Sequence, residues 1–298
     1  MKSGIINVYK EAGYTSFDVV AKLRGILGMK KIGHTGTLDP EATGVLPVCV
    51  GKATKVCDLL TDKDKTYRAV MRLGIVTDTQ DMTGTVLQQQ DVMVTEQDVR
   101  KALQSFVGSS NQIPPMYSAL KVNGQKLCDL ARKGIQVERK PREIFIHEIV
   151  VEDITLPLVT FTVTCSKGTY IRTLCQDVGE KLGCGACMDS LVRTRVSGFC
   201  IEDSLKLHEI EAMMKKGELE KHLVNVDEMF SCYPAVYALV EATAKLKNGN
   251  SLTWEEVIPT DVQLQEKDLV RMYMADRRFV GIFIWKDHLF KPEKMFLE

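Results

Sequence analysis

The spacing of apolar and polar positions divides the chain into short strands and a few amphipathic helices. Ile5 to Tyr9 reads as a strand, followed by a loop through Gly13. Thr15 or Ser16 can cap a helix whose apolar positions Phe17, Val20, Leu23 and Leu27 recur near a helical period, with Gly28 where it should stop. Residues 30–48 carry three glycines and two prolines and predict an ordered loop, with a strand starting near Val45. Tyr67 to Leu73 alternates like a strand, then Gly74 and the run Thr77 to Gly84 turn the chain. Thr95 starts a helix through Phe106, with Glu96 and Asp98 at the positive end of its dipole, and Gly108 through Pro115 breaks it. Leu158 to Cys165 alternates apolar residues with threonine, as a half-buried strand does. Ser166 to Thr169 turns into a helix over Tyr170 to Leu182, closed by Gly183, and Leu191 to Phe199 predicts a further strand.

The last third differs. Helices near 205–230 end at Cys232-Tyr233-Pro234, and short β-like runs follow at Leu269 to Met274 and Phe279 to Trp285. Turns fall at Lys247 to Asn250 and at Ala275-Asp276. The expected fold is mixed α/β (α+β): a large domain over 1–234 around a mainly antiparallel sheet, then a small β-barrel over 235–298.

Composition narrows the class. With 45% hydrophobic and 26% charged residues, the 298-residue chain is that of an ordinary globular protein. No apolar stretch approaches the roughly 20 residues that span a bilayer. The first sixteen residues also lack the apolar core of a secretory signal, so a cytoplasmic protein is expected. Nine cysteines without framework spacing suit free thiols. Cys184-Gly-Ala-Cys187 is a lone C-x-x-C pair, with no second pair or metal-spaced histidines to complete a zinc site. The net charge is zero, yet Lys121, Lys126, Arg132, Lys133, Arg139, Lys140 and Arg142 cluster against only Asp129 and Glu138. Such a stripe can follow a phosphate backbone; met in isolation it is more often a solvated face.

The densest segment is Gly33-His34-Thr35-Gly36-Thr37-Leu38-Asp39-Pro40-Glu41-Ala42-Thr43-Gly44-Val45-Leu46. Pro40 keeps Asp39 off helical torsions, and the glycines allow close backbone approach to a ligand. This string resembles the catalytic loop of the TruB family, the bacterial tRNA pseudouridine-55 synthases. Further blocks agree with that family in order: Lys65 to Ala69 with Leu73-Gly74 and Thr77 to Thr79; Gln112 to Pro115 with Ser118, Ala119 and Lys121; Ser166 to Leu174; and Leu182 to Ala186. The resemblance is strong to about residue 200. It is weaker in the tail, where Gly281 to Phe283 and Lys291 to Lys294 look like the family's PUA-type RNA-binding barrel. Cys128 departs from the pattern, which usually has an aromatic residue there.

The resemblance implies that the chain turns a uridine of the tRNA T-loop into pseudouridine. That reaction breaks N1–C1′, turns the base over and joins C5 to C1′. Nothing is oxidised or hydrolysed, so no cofactor or metal is expected. By resemblance Asp39 starts the reaction, by attack at C1′, attack at C6 or proton removal at C2′. Tyr67 stacks on the flipped base and offers a phenol for the C5 proton. Tyr170 and Leu191 contact the nucleoside, and His34 props the flipped conformation. An enclosed carboxylate needs a positive partner, which predicts an Arg172–Asp39 ion pair. The basic cluster and the barrel would grip the tRNA T-arm stem-loop. A monomer with no membrane or protein partner is expected. Two alternatives share these features: a non-catalytic RNA chaperone, and a related synthase acting on another RNA.

Overall fold

The computed structural model describes residues 3–297. β1 (Gly4–Lys10) leads to α1 (Ser16–Leu27), which opens on a reciprocal cap. The Asp18 N–H donates to the Thr15 hydroxyl at 3.1 Å, and the Thr15 N–H donates to the Asp18 carboxylate at 2.8 Å. Gly28 closes the helix in the left-handed region, at φ 59°. The buried face runs through Ser16, Val19, Val20, Leu23 and Leu27. Phe17, expected on that face, is 62% exposed and carries the Arg24 guanidinium 5.8 Å above its ring. Val19 completes the face on its other side, which leaves Phe17 beyond the edge.

Residues 30–48 are more than a loop, since they contain β2 (Ile32–His34) as well as β3 (Thr43–Val50). β2 forms because β3 offers it a partner, pairing Ile32 with Val50 and His34 with Val48. α2 (Cys57–Thr61) precedes β4 (Lys65–Leu73), whose alternation buries Lys65, Tyr67, Ala69, Met71 and Leu73 on one face. β5 (Ile75–Thr77) and β6 (Val86–Gln89) make a hairpin before α3 (Glu96–Gln104), which Thr95 caps.

The expected break after α3 holds a strand, β7 (Gly108–Gln112). β8 (Lys121–Val122), β9 (Gln125–Lys126) and α4 (Leu127–Arg132) follow, then β10 (Arg142–Thr155), which the apolar pattern does not announce. β10 creates β7 by pairing, with Arg142 opposite Gln112 and Ile146 opposite Gly108. Irregularities in its pairing with the next strand, at Ile146/Glu148 and Val151/Asp153, interrupt its period of two. That next strand is β11 (Leu158–Cys165), and α5 (Ile171–Leu182) comes after it. β12 (Ala186–Val196) begins before the expected Leu191, and β13 (Phe199–Cys200) folds back on its end. α6 (Leu207–Lys216) and two short 3-10 turns occupy the region read as helices near 205–230. The tail contains β14 (Ala235–Tyr237), α7 (Thr243–Lys247), β15 (Leu269–Tyr273), β16 (Phe279–Lys286) and β17 (Leu289–Met295).

The fold is mixed α/β with mainly antiparallel sheets. The main sheet runs β1-β3-β12-β4-β11-β10-β7, with β2 on β3 and β13 on β12. Its parallel contact joins β3 to β12, placing Thr43 opposite Val192 and Gly44 opposite Arg193. One core packs α3 and α5 on the sheet through residues such as Leu103, Phe161 and Leu174. A second holds α1 and α6 through Val20, Leu23 and Ile210. A third joins the tail to the main sheet through Phe230, Ile282 and Phe296. Each fully buried side chain of this size contributes about 1.5–3 kcal/mol. Asp39 lies just ahead of β3, where the parallel seam crosses the middle of the sheet.

Candidate active site

The loop that carries Asp39 is pinned from several directions. Thr35 donates through its N–H and its hydroxyl to the Pro47 carbonyl, each at 3.1 Å. The Leu38 N–H donates to the Ser16 hydroxyl at 2.9 Å, and the Ala42 N–H to the Asp39 carbonyl at 3.1 Å. Lys10, fully buried, donates from Nζ to the Pro40 carbonyl at 2.8 Å. Burial lowers its pKa to about 8.

Arg172 meets Asp39 with two nitrogens, Nε at 3.0 Å from Oδ2 and Nη2 at 3.3 Å from Oδ1. The expected ion pair therefore forms, with the fork geometry that suits a carboxylate. Arg172 is itself fixed by donation to the Thr79 carbonyl at 3.1 Å and the Tyr117 carbonyl at 2.7 Å. Its Nη1 also lies 3.6 Å from Asp81 Oδ2. Asp81 accepts from the hydroxyls of Thr79 and Thr83 at 2.8 and 2.6 Å, so one buried guanidinium serves two carboxylates.

Burial nevertheless raises the Asp39 pKa above the ordinary carboxylate value; Arg172 and Lys10 oppose the rise and Asp81 adds to it. The expectation that a cation would hold the carboxyl down is met only partly. Its side chain keeps 38% of its surface open to the cavity, so the crowding is local rather than complete.

Asp39, Tyr67, Tyr170, Arg172 and Leu191 line one cavity of about 550 Å³, a volume typical of small-molecule sites. Tyr67 and Leu191 are buried on adjacent strands of the sheet. Burial pushes the Tyr67 phenol up to about 12. Tyr170 precedes α5, and its backbone is clamped by Gln112: the Tyr170 N–H donates to Gln112 Oε1 at 2.8 Å, and Gln112 Nε2 donates to the Tyr170 carbonyl at 3.0 Å. The edge strand β7 thus aligns the start of the helix that presents Arg172. A cavity of about 580 Å³ opens elsewhere, beside Asn7, Glu202, Asp203 and His222, and none of the candidate residues lines it.

His34 is not in the cavity wall. Its Nδ1 accepts the Gly36 N–H at 3.3 Å and so braces the loop, and burial lowers its pKa. Of the basic residues, Arg142 lines the cavity, while Lys121 and Lys126 pair across the β8–β9 hairpin. Lys133 and Lys140 are exposed, and Arg132 pairs with Asp129 at 3.4 Å. Arg139 differs: it is half-buried and donates to the Pro114 carbonyl at 2.9 Å, which ties it to the fold. The cysteines are free thiols, Cys184 and Cys187 among them, and among the described residues no cluster of His, Cys, Asp or Glu is placed to hold a metal. No helix is long and apolar enough to cross a membrane among the described residues.

Sequence reasoning gave no role to Asp81, Lys10, Arg193 or Lys65, all at or beside this site, although Lys65 opens one of the quoted blocks. Asp81 sat inside a run read as turn chemistry. Lys65 also lines the cavity, with Nζ donating to the Thr61 and Lys63 carbonyls at 2.8 and 2.6 Å. Arg193 is 1% exposed; a signal for it existed in its position two residues after Leu191 on one strand face.

Comparison with known proteins fits this arrangement. The chain superposes with a TM-score of 0.73 on a protein solved as an H/ACA RNP bound to a substrate RNA containing 2′-deoxyuridine, at 26% identity, covering 99% of this chain and 85% of that one. A Cbf5-Nop10-Gar1 complex gives the same TM-score at 28% identity and the same coverage. Residues 24–171 match the model of the TruB family pseudouridylate synthase N-terminal domain, and residues 172–231 that of the tRNA pseudouridylate synthase B C-terminal domain. The chain is 53% identical to tRNA pseudouridine synthase B of Lachnoclostridium phytofermentans, over 99% of this chain and all of that one. It is 45% identical to the protein of the same name from Clostridium kluyveri, over 99% of both. The chain belongs to the TruB family of pseudouridylate synthases.

Proposed function

We propose that this chain isomerises uridine to pseudouridine in tRNA, at position 55 of the T-loop, without a cofactor. The observation that carries the reading is the Asp39 carboxylate held by the Arg172 fork at the wall of a nucleoside-sized cavity. A uridine inside a folded loop must swing out to reach it, at a cost of roughly a few kcal/mol. Stacking on the Tyr67 ring returns about 1–3 kcal/mol of that, with Tyr170 and Leu191 closing on the nucleoside. Asp39 then acts at the sugar or at C6 of the base, while the enclosing wall keeps water from the detached uracil. His34, through its bond to Gly36, keeps the catalytic loop in the shape that accepts the flipped nucleotide.

The exposed Lys121, Lys126, Arg132, Lys133, Lys140 and Arg142 would follow the phosphates of the T-arm stem-loop, with Arg139 shaping the segment that carries them. Residues 235–298 form, in this reading, a PUA-like RNA-binding domain next to a catalytic domain over 1–234; support comes from a separate apolar core through Val236, Val270, Phe283 and Phe290. The protein would work as a monomer in the cytoplasm.

Pseudouridine formed in a T-arm hairpin is the test. Wild type should convert it stoichiometrically, and Asp39→Asn should lose at least about 10²–10⁴-fold in rate, the scale of a missing general base or more. Equal product from both would remove Asp39 from the chemistry. No product from wild type would end the proposal.

A further inference from the structure

Arg193 is a buried cation that the fold alone does not account for. It is 1% exposed, and its Nε donates to the Val45 carbonyl at 2.7 Å. Its Nη2 has no hydrogen-bond partner. Among the described residues no carboxylate pairs with it, in contrast to Arg172, which has two. Burying a guanidinium with neither counter-ion nor full hydrogen bonding is expensive, and proteins keep such groups where function needs them. Arg193 also lines the cavity that holds Asp39, and it lies beside the Tyr67 phenol. The catalytic loop passes over it: a Cβ built on Gly36 would sit 3.7 Å from Arg193 Nη1. Lys10 and Lys65 are close enough for its charge to disfavour theirs, so the floor beneath the catalytic loop is strongly cationic.

The reaction creates an anion for which such a floor is suited. When N1–C1′ breaks, the bond pair goes to N1 and spreads over O2 and O4 of the uracil. That charge persists until C5 bonds to C1′; the proton on C5 then leaves to a base and N1 takes one up, so uridine and its product stay isomers. Asp39 cannot stabilise the detached base, because its carboxyl offers no positive charge whether it is then an ester or protonated. We propose that Arg193 does so, its free Nη2–H donating to a carbonyl oxygen, O2 or O4, of the detached uracil, in the manner of an oxyanion hole. This rests on the pseudouridine synthase reading above and adds a catalytic residue to it.

The test compares single-turnover rates of wild type, Arg193→Gln and Arg193→Lys on hairpins carrying uridine or 5-fluorouridine at the target. Loss of the parent nucleoside is the readout, and filter retention gives RNA affinity. Fluorine withdraws electrons and stabilises the detached base by itself, so it should replace part of what Arg193 supplies. Arg193→Gln should lose about 10²–10³-fold on uridine, roughly a tenth of that factor on 5-fluorouridine, and under about threefold in affinity. Arg193→Lys, which keeps the charge, should fall between. Equal losses on the two bases, a loss confined to affinity, or no loss would each overturn the proposal. Wild type inert on both hairpins would instead defeat the underlying reading. Should neither variant fold, a crystal structure of wild type with the 5-fluorouridine hairpin decides. Nη2 within about 3.2 Å of a uracil oxygen is expected, and Nη2 satisfied by protein or water alone would overturn the proposal.

Discussion

At the scale of single residues, Asp39 is set between burial, which favours its neutral form, and Arg172, which favours the carboxylate. Burial prevails, so the folded-state pKa lies above the unfolded one. Protonation of Asp39 therefore favours the fold: its contribution to stability is present below the unfolded value and is lost as pH rises through the folded one. The proposed chemistry needs the opposite state, the carboxylate. Activity should consequently fall on the acid side at a pH above the usual carboxylate value of about 3.9. Arg172 is the larger of the two cations opposing the shift. Arg172→Met should move the Asp39 midpoint further up, read from the ¹³C signal of its carboxyl carbon, identified by its disappearance in Asp39→Asn. A midpoint that stays put or moves down would show that Arg172 does not set this charge. Asp39, Tyr67, Tyr170 and Arg172 were legible in the sequence because each stands inside a contiguous motif, whereas Leu191, outside those blocks, followed from the family resemblance alone. Arg193 was not, since a charged residue within a strand run reads as solvent-facing until the pairing of β12 between β3 and β4 encloses it.

At the scale of elements, the seam between β3 and β12 decides where the Asp39 loop ends. Gly44 faces Arg193 across that parallel contact, and a Cβ there would overlap the Arg193 backbone carbonyl. Its φ of 104° is also one that side chains strain to adopt. Gly44→Ala should cost about 2 kcal/mol or more in stability and depress turnover well beyond what the unfolded fraction explains, because the loop and Arg193 shift together. A melting temperature and rate matching wild type would show that the seam tolerates a methyl group. Elements with a strong period of their own, such as α1, α3, β4, β11 and α5, could be read from the chain. β2 and β7 could not, because they exist only by pairing: Gly108-Ser-Ser-Asn-Gln112 has little strand preference apart from β10. β10 was hidden by the irregularities that shift its inward positions, and by apolar residues on its outer face, where Phe145 and Val150 stand in solvent. Much of the site's framing, including the Gln112 clamp on Tyr170, hangs on those partner-dependent strands, which is why the motifs were readable before their geometry was.

At the scale of the whole molecule, charge has to be gathered locally because the net charge is zero, with 39 basic and 39 acidic residues. Long-range attraction to RNA from such a chain is weak, so affinity must come from where the cations stand. Packing holds the tail against the main sheet, unlike a loosely tethered unit. Phe279 and Phe296 stack 5.6 Å apart in the cluster around Phe230, and the Tyr273 hydroxyl donates to Asp227 at 2.8 Å. The β8–β9 hairpin, by contrast, projects Lys121 and Lys126 into solvent with few contacts of its own, and Arg142 continues the same charge to the cavity mouth. If those two lysines each neutralise one phosphate, they release counterions, and affinity should fall with salt more steeply in wild type than without them. Lys121→Ala/Lys126→Ala should therefore flatten the plot of log affinity against log salt by about 1.4–1.8, the sum of two contacts at about 0.7–0.9 each. Asp39→Asn, which alters the chemistry but no phosphate contact, should keep the wild-type slope. An unchanged slope in the double variant would place the phosphates elsewhere on the surface, and the hairpin would then be a solvated tip with no part in gripping RNA.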